Sequence, residues 1–170
     1  MSFRITLVCL GNICRSPIAE VVLRDRIAQA GLAEQVTVDS AGTGDWHLGR
    51  PADTRAQATL TAHGYVVDHR ARQIDSSWFG GIDLALAMDS VNFADIVAMR
   101  DEARAATTIH LLRSYDPALA GLPEPSPELD VPDPYEGDSS SFEAVLHMIE
   151  SAADGLVGQL GSLLPPDPSA

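Results

Sequence analysis

The sequence predicts an α/β fold, with one open, twisted parallel sheet of about four strands and helices on both faces. Three observations support this prediction. Segments with strand character alternate with segments of helical spacing along the chain. The run IDLALAM at 82–88 is apolar apart from Asp83, which is typical of a strand covered on both faces. The chain has 170 residues, enough to bury one core, and needs no second domain.

The first strand and the first helix enclose a tight loop. Residues 5–10 are apolar, and the run ends at Gly11 and Asn12, two residues that tolerate left-handed backbone angles. Pro17 opens a segment with the apolar spacing of an amphipathic helix, which Gly31 ends. The backbone N–H groups of such a loop converge at a helix N-terminus, where the helix dipole also favours an anion.

The rest of the chain continues the alternation of strands and helices. We predict a strand followed by a turn at 36–44, further strands at 82–88 and 107–112, and helices at 53–63 and 141–164. The passage 115–141 has too many prolines for regular structure, so we expect a functional or mobile loop there. We expect a flexible C-terminal tail at 165–170.

Composition excludes several classes of function. Acidic residues number 24 against 11 basic ones, a formal net charge of -13, so the global field repels nucleic acids and anionic membranes. The 2 cysteines, Cys9 and Cys14, both lie in the first loop, which favours a reducing location over a secreted disulfide scaffold. No stretch resembles a membrane span or a secretory leader. We expect a cytoplasmic monomer with no nucleic-acid or membrane partner.

The loop CLGNICRS, residues 9–16, carries side chains suited to phosphate chemistry. If its N–H groups hold a phosphate, Arg15 can add a bidentate grip on two of the oxygens. Cys9 then lies beneath the phosphorus, where the amide dipoles, Arg15 and the Ser16 hydroxyl favour its nucleophilic thiolate form. A lone cysteine at a strand end is more often a small buried apolar residue. That interpretation leaves the arginine and the anion site unexplained.

The segment CLGNICRSPIAE resembles the signature of the low-molecular-weight protein tyrosine phosphatases. Four later segments resemble that family in the same order, namely DSAGTGDWHLGRPAD (39–53), DHRARQ (68–73), AMDSVNFADI (87–96) and VPDPYEGDSSSFEAV (131–145). The resemblance therefore covers nearly the whole chain. It implies one phosphatase domain over 1–164 that hydrolyses tyrosine-phosphorylated proteins or small aryl phosphates, releases inorganic phosphate and serves in signalling.

The resemblance also implies a mechanism. The family places its general acid in a D-P motif, which Asp133 between two prolines matches, although an aspartate beside proline is also common in ordinary turns. Cys9 would attack phosphorus while Asp133 protonates the leaving oxygen, and Asp133 would then activate the water that hydrolyses the phosphocysteine. Arg15 and the loop amides would carry the transition-state charge, so we predict no cofactor and no metal.

Binding and supporting roles follow from the same resemblance. Trp46 and Tyr135 are expected to line opposite walls of a slot for an aromatic ring, although a tryptophan after a turn is more often a residue at the edge of the core. Asn12 is expected to hold the left-handed turn of the loop, with Ser40 and His69 as its hydrogen-bond partners. The predicted phosphate-binding residues of the loop are Leu10, Gly11, Asn12, Ile13, Cys14 and Ser16. We interpret the remaining histidines as surface or packing residues: His47, His63, His110 and His147.

Three positions bear on the choice of substrate and on redox behaviour. Cys14 is expected either to trap an oxidised Cys9 as a disulfide or to pack as a small residue. A second tyrosine often follows Tyr135 in the family, but Glu136 stands there, and its carboxylate is expected to weaken acidic phosphopeptides. Protein arginine phosphatases share this scaffold and tend to carry a smaller threonine at the position of Ile13.

Two alternative activities therefore remain beside the tyrosine phosphatase. One is a protein arginine phosphatase. The other is an arsenate reductase, which would need an external low-molecular-weight thiol because the chain has no cysteine after Cys14 for an internal relay.

Overall fold

A computed structural model describes residues 2–166 of the chain. The strands in this part are β1 (Phe3–Cys9), β2 (Val36–Gly42), β3 (Leu84–Ala87) and β4 (Thr108–Leu111). The α-helices are α1 (Arg15–Gln29), α2 (Thr54–Ala62), α3 (Ser90–Ala103) and α4 (Ser139–Leu163). The strands form one parallel sheet in the order β2-β1-β3-β4, which confirms the predicted α/β architecture. Of the predicted tail, residues 167–170 lie outside the described part.

Side chains on the central strands alternate between two apolar clusters, one on each face of the sheet. In β1, Ile5 and Leu7 join the cluster formed with α1 and α4, whereas Val8 joins the cluster on the side of α3. In β3, Leu86 joins the first of these clusters and Ala87 joins the second. Successive residues of a strand point to opposite faces, so a strand covered by helices on both sides is apolar at most positions. In β1 the buried exception is Thr6, whose hydroxyl donates to Asp39.

The sequence prediction missed α3 and the short 3-10 helices, of which the longest is Ser76–Gly81. The helical pattern of α3 is weak because its apolar residues are spread around the helix and only Ile96 and Asn92 are fully buried. It also lacks the glycine that usually ends a helix, since Arg104 takes the left-handed conformation at its end with φ 51°. The usual signals for a helix and its end are therefore missing from the sequence.

The proline-rich passage 115–141 is irregular but anchored. It contains short 3-10 helices at Pro117–Leu119 and Pro127–Leu129, and Leu129 and Val131 are buried. The Val131 N–H donates to the carbonyl of Met88 just after β3, at 2.7 Å. The segment that follows Val131 is therefore carried to the carboxyl ends of the central strands.

The same edge of the sheet holds the loop after β1. Cys9 and Gly42 are paired at the ends of β1 and β2. A Cβ at Gly42 would lie 2.6 Å from the carbonyl oxygen of Leu10, so only glycine permits this close approach of the two loops. Within residues 2–166, no helix combines the length and apolar character needed to cross a membrane.

Candidate active site

The loop of residues 9–16, called here the Cys9 loop, connects the end of β1 to the start of α1. Its turn passes through Asn12, which has a left-handed φ of 56°. The Asn12 N–H donates to Cys9 Sγ at 3.3 Å, and Ser16 Oγ lies 3.0 Å from the same sulfur. The backbone thus folds around the cysteine, and a main-chain N–H and a hydroxyl group both contact its sulfur.

Hydrogen bonds of buried side chains hold this turn in place. Asn12 Nδ2 donates to Ser16 Oγ at 2.8 Å and to Ser40 Oγ at 3.0 Å, while its Oδ1 accepts from the Arg72 N–H at 2.9 Å. His69 Nε2 lies 2.7 Å from the Asn12 backbone oxygen. The structure therefore brings Ser40 and His69 to Asn12, with Ser40 contacting its side chain and His69 its main chain.

Glu20 completes the support beneath the loop, and the sequence analysis did not identify it. Its carboxylate accepts from Ser40 Oγ at 2.5 Å and lies 3.5 Å from His69 Nδ1. Burial raises the pKa of Glu20, but hydrogen bonds from His69 and Ser40 and the charge of Arg24 outweigh burial and hold this pKa below its usual range. An ionised carboxylate therefore anchors the hydrogen-bond chain at neutral pH.

Arg15 is buried at the start of α1, with only 3% of its side chain exposed. Its Nη1 donates to Asp89 Oδ2 at 2.5 Å and to the Val131 carbonyl at 3.0 Å. Burial lowers the pKa of Arg15, but the nearby Cys9 and Asp89 outweigh burial and raise this pKa above its usual value. Asp89, which also caps α3 by accepting from the Asn92 N–H, is a site residue that the sequence analysis missed.

Asp133 faces Arg15 from residues 131–138, called here the Asp133 loop. Its Oδ2 lies 3.6 Å from Arg15 Nη2, and 46% of its side chain is exposed. Its Oδ1 accepts from the Tyr135 N–H at 3.1 Å. The carboxyl is thus oriented by its own loop and open to the pocket.

A single pocket connects these groups to solvent. The residues that line it are Cys9, Leu10, Gly11, Ile13, Cys14, Arg15, Trp46, His47, Asp133 and Tyr135. Trp46 is 67% exposed, so it is a wall of this pocket and not a residue at the edge of the core. Asn12 and Ser16 belong to the Cys9 loop, but their side chains are fully buried and do not line the pocket.

His47 is the clearest correction to the interpretation of the histidines. It lines the pocket, and its ring centroid lies 6.3 Å from that of Tyr135. A Cβ at Gly11 would lie 3.0 Å from the His47 ring, so the histidine packs on the loop itself. The other three interact with carboxylates away from the pocket: His63 and His147 with Glu143, and His110 with Glu124.

Cys14 is buried beside the pocket. Burial, followed by the charges of Asp53, Cys9 and Asp133, raises the pKa of Cys14 to about 12. Burial, the largest of these causes, lowers the fraction of Cys14 in the thiolate form, which is the attacking form in disulfide formation. Across residues 2–166, no group of three or more His, Cys, Asp or Glu side chains is arranged to hold a metal ion.

Comparison with known proteins identifies the family. The family model "Low molecular weight phosphotyrosine protein phosphatase" matches residues 4–163. A low molecular weight protein-tyrosine-phosphatase of Streptomyces coelicolor is 49% identical over 157 residues, which cover 92% of this chain and 93% of the relative. A solved protein tyrosine phosphatase of Entamoeba histolytica superposes with a TM-score of 0.82 at 32% identity, covering 95% of this chain and 98% of that one.

The scaffold also occurs in arginine phosphatases. A solved arginine phosphatase of Drosophila superposes with a TM-score of 0.82 at 29% identity, covering 96% of this chain and 99% of that one. The family model and the curated relatives, however, are named for phosphotyrosine, at higher identity and over nearly the whole chain. The chain belongs to the low molecular weight phosphotyrosine protein phosphatases, a family of hydrolases.

Proposed function

We propose that this protein hydrolyses tyrosine-phosphorylated proteins and small aryl phosphates through a phosphocysteine intermediate. The observation that carries the proposal is the convergence of Cys9, Arg15 and Asp133 on one pocket, with Arg15 Nη2 and Asp133 Oδ2 3.6 Å apart. A nucleophile, a fixed cation and a carboxyl group are the three parts that a metal-independent phosphoryl transfer requires.

Arg15 is oriented to hold the phosphoryl group. Asp89 and Val131 occupy its Nη1, whereas its Nε and Nη2 have no hydrogen-bond acceptor among residues 2–166. These two nitrogens form one edge of the guanidinium and fit two phosphate oxygens in a bidentate contact. The ion pair with Asp89 fixes the plane of the fork before substrate arrives, which lowers the reorganisation needed in the transition state.

The reaction proceeds in two displacements. The Cys9 thiolate attacks phosphorus, the bond from phosphorus to the leaving oxygen breaks, and Asp133 gives its proton to that oxygen. Water then attacks the phosphocysteine, its proton passes to Asp133, and Cys9 leaves as a thiolate while inorganic phosphate is released. Asp133 ends the cycle protonated and ready for the next substrate.

The walls of the pocket favour an aromatic substrate. Trp46 and Tyr135 present exposed rings beside His47, so a phenyl ring can enter between aromatic faces. A slot deep enough for phenyl phosphate leaves the shorter phosphoserine side chain away from Cys9. The likeness to an arginine phosphatase makes phosphoarginine the second candidate, and Ile13 at the pocket wall is the residue that argues against it.

Steady-state hydrolysis of phosphotyrosine, phosphoserine and phosphoarginine peptides, with a chelator present, tests the proposal. We expect turnover of phosphotyrosine alone. Cys9→Ser should lower that turnover by about 10⁴-fold or more while phosphate still binds, because the nucleophile is lost and the anion site is kept. Wild-type rates in Cys9→Ser would overturn the mechanism, and turnover of phosphoarginine alone would overturn the substrate. Arsenate reduction with a small thiol, without phosphotyrosine turnover, would overturn both.

A further inference from the structure

Arg55 connects two loops of the pocket without lining the pocket itself. It lies in the first turn of α2, after the N-cap residue Asp53. Its Nε and Nη2 each donate to one oxygen of the Asp53 carboxylate, both at 3.0 Å. Its Nη1 donates to the carbonyl of Gly137 at 2.9 Å. One guanidinium therefore joins the N-terminus of α2 to the Asp133 loop.

The Arg55 guanidinium also contacts two aromatic rings. Its central carbon lies 4.7 Å from the ring centroid of Phe142 and 5.6 Å from that of Tyr135. Phe142 is fully buried in the first turns of α4, whereas Tyr135 is a pocket wall in the Asp133 loop. The contacts need a planar, forked cation, which arginine provides and lysine does not.

Asp53 extends the connection to the Cys9 loop. Its N–H donates to the carbonyl of Ile13 at 2.8 Å. The hydrogen bonds of Arg55 are the main reason that the pKa of Asp53 lies below its usual range, so the pair stays ionised at neutral pH. A continuous path of short contacts thus runs from Ile13, through Asp53 and Arg55, to Gly137.

The Asp133 loop depends on this path because it has few anchors of its own near the carboxyl. The Gly137 N–H donates to the Pro134 carbonyl at 2.8 Å and closes a turn, and the Tyr135 N–H binds Asp133 Oδ1. Both bonds are internal to the loop. The bond from Arg15 Nη1 to the Val131 carbonyl ties only the start of the loop to the Cys9 loop, so the position of the turn after Asp133 is left to other contacts. Arg55 contacts this turn at Gly137 and at Tyr135, and it is tied to the Cys9 loop through Asp53.

We propose that Arg55 is a positioning residue for the reaction, which holds the Asp133 carboxyl at the distance from Cys9 where it can protonate the leaving oxygen. This inference rests on the proposed function, in which Asp133 is the general acid. A displacement of about 1 Å in a catalytic group costs on the order of 10²-fold in rate. Loss of Arg55 should therefore affect the substrates that need a proton donor.

The experiment compares kcat/KM for phenyl phosphate, a poor leaving group, with that for para-nitrophenyl phosphate, a good one. Asp133→Ala gives the reference ratio for loss of the acid. Arg55→Ala should lower kcat/KM about tenfold for phenyl phosphate and about twofold or less for para-nitrophenyl phosphate. Arg55→Lys should behave like Arg55→Ala, because an ammonium cannot bind both Asp53 oxygens and the Gly137 carbonyl. Arg100→Ala removes an arginine paired with Asp101 on α3 and should leave both values unchanged.

A double variant makes the test specific. If Arg55 acts through Asp133, then Arg55→Ala should have no further effect on the ratio of the two substrates in the Asp133→Ala background. Equal losses for both substrates, or an undiminished effect in the double variant, would overturn the role of Arg55. If instead Asp133→Ala shows no dependence on the leaving group, the assignment of the acid in the proposed function fails, and the role of Arg55 fails with it. Because Arg55→Lys keeps the charge and length of the side chain, it provides the same test should Arg55→Ala fail to fold.

Discussion

The Cys9 loop and the Asp133 loop face each other across the pocket, and they are stabilised in different ways. In the Cys9 loop, Asn12 and Ser16 are fully buried and bonded to each other, and Arg15 is 3% exposed. In the Asp133 loop, the side chain of Asp133 is 46% exposed and its hydrogen bond stays within the loop. The Cys9 loop is fixed by buried hydrogen bonds along its length. The Asp133 loop has buried hydrogen bonds only at its start, Val131, and is held beyond that residue by a short turn and the contact with Arg55.

This difference matches the different tasks that the proposed mechanism gives to the two loops. A group that stabilises developing charge works best when it is oriented before the reaction begins, which requires a rigid and dry environment. A group that gives a proton to one oxygen and later takes a proton from water needs access to both, so partial exposure suits it. We therefore expect substitutions in the Cys9 loop to alter every substrate, and those in the Asp133 loop to alter substrates selectively.

The reactivity of Cys14 tests how dry the Cys9 loop is, and we expect the largest effect here. With a pKa raised to about 12 by burial first, and by nearby negative charges second, Cys14 stays a neutral thiol at pH 7. Its thiolate fraction is then on the order of 10³-fold below that of an ordinary cysteine with a pKa near 8.5. In Cys9→Ser, Cys14 is the sole cysteine; the charge of Cys9 is lost, but burial and the charges of Asp53 and Asp133 remain. Iodoacetamide should therefore label the folded protein more slowly than free cysteine by a factor that approaches this one, and rapid labelling at neutral pH would contradict a dry loop.

Arg15→Lys replaces the fixed guanidinium of the Cys9 loop with an ammonium group. The ammonium cannot contact two phosphate oxygens and Asp89 together, so we expect kcat/KM to fall by about 10³-fold for good and poor leaving groups alike. Phosphate binding, measured by calorimetry, should be lost together with the activity. A variant that keeps phosphate affinity would show that the loop amides alone hold the anion.

The parts of this site that sequence reasoning could predict are those with local determinants. The strand, the turn at Gly11 and Asn12, and the helix after Pro17 follow from neighbouring residues, so the Cys9 loop could be located without any structure. Asp133 needed the family resemblance, because an aspartate beside proline is common in turns. The ion pair of Arg15 with Asp89 spans 74 positions in the sequence and exists only because β1 and β3 are neighbours in the sheet.

Residues that support the site from other elements were harder still to predict. Glu20 lies on a helix, where a charged residue is usually solvated. Arg55 lies two positions after Asp53, which the sequence indicates only as a helix N-cap. Their roles come from side chains that meet only in the folded chain. Helix α3 was missed for a different reason, since neither its apolar spacing nor a terminal glycine marks it.

Asn12→Ala tests whether buried hydrogen bonds keep the Cys9 loop formed. Alanine is strained at a φ of 56°. Its methyl group also removes the donor to Ser40 Oγ and leaves the Arg72 N–H without its acceptor. We expect the free energy of unfolding to fall by about 2 to 4 kcal/mol and kcat/KM to fall about tenfold for all substrates. Glycine tolerates the left-handed φ. Asn12→Gly should therefore recover the part of the stability loss that comes from backbone strain, but not the part that comes from the lost hydrogen bonds. Chemical denaturation of both variants measures the two contributions separately.

Glu136→Gln alters the Asp133 loop at its exposed rim, and we expect the smallest and most selective effect. Glu136 is exposed and follows the pocket residue Tyr135, so its charge acts on the flanks of a substrate through solvent. Removing it should raise kcat/KM about two- to threefold for phosphotyrosine peptides with acidic flanks and leave phenyl phosphate unchanged. The gain should shrink at high ionic strength, because exposed charges are screened over about 10 Å at 0.1 M salt. Glu34→Gln, which removes an equally exposed charge between α1 and β2, should change neither substrate. If both variants give the same gain, net charge and not the rim of the Asp133 loop sets the preference, and the selective role assigned to that loop is wrong.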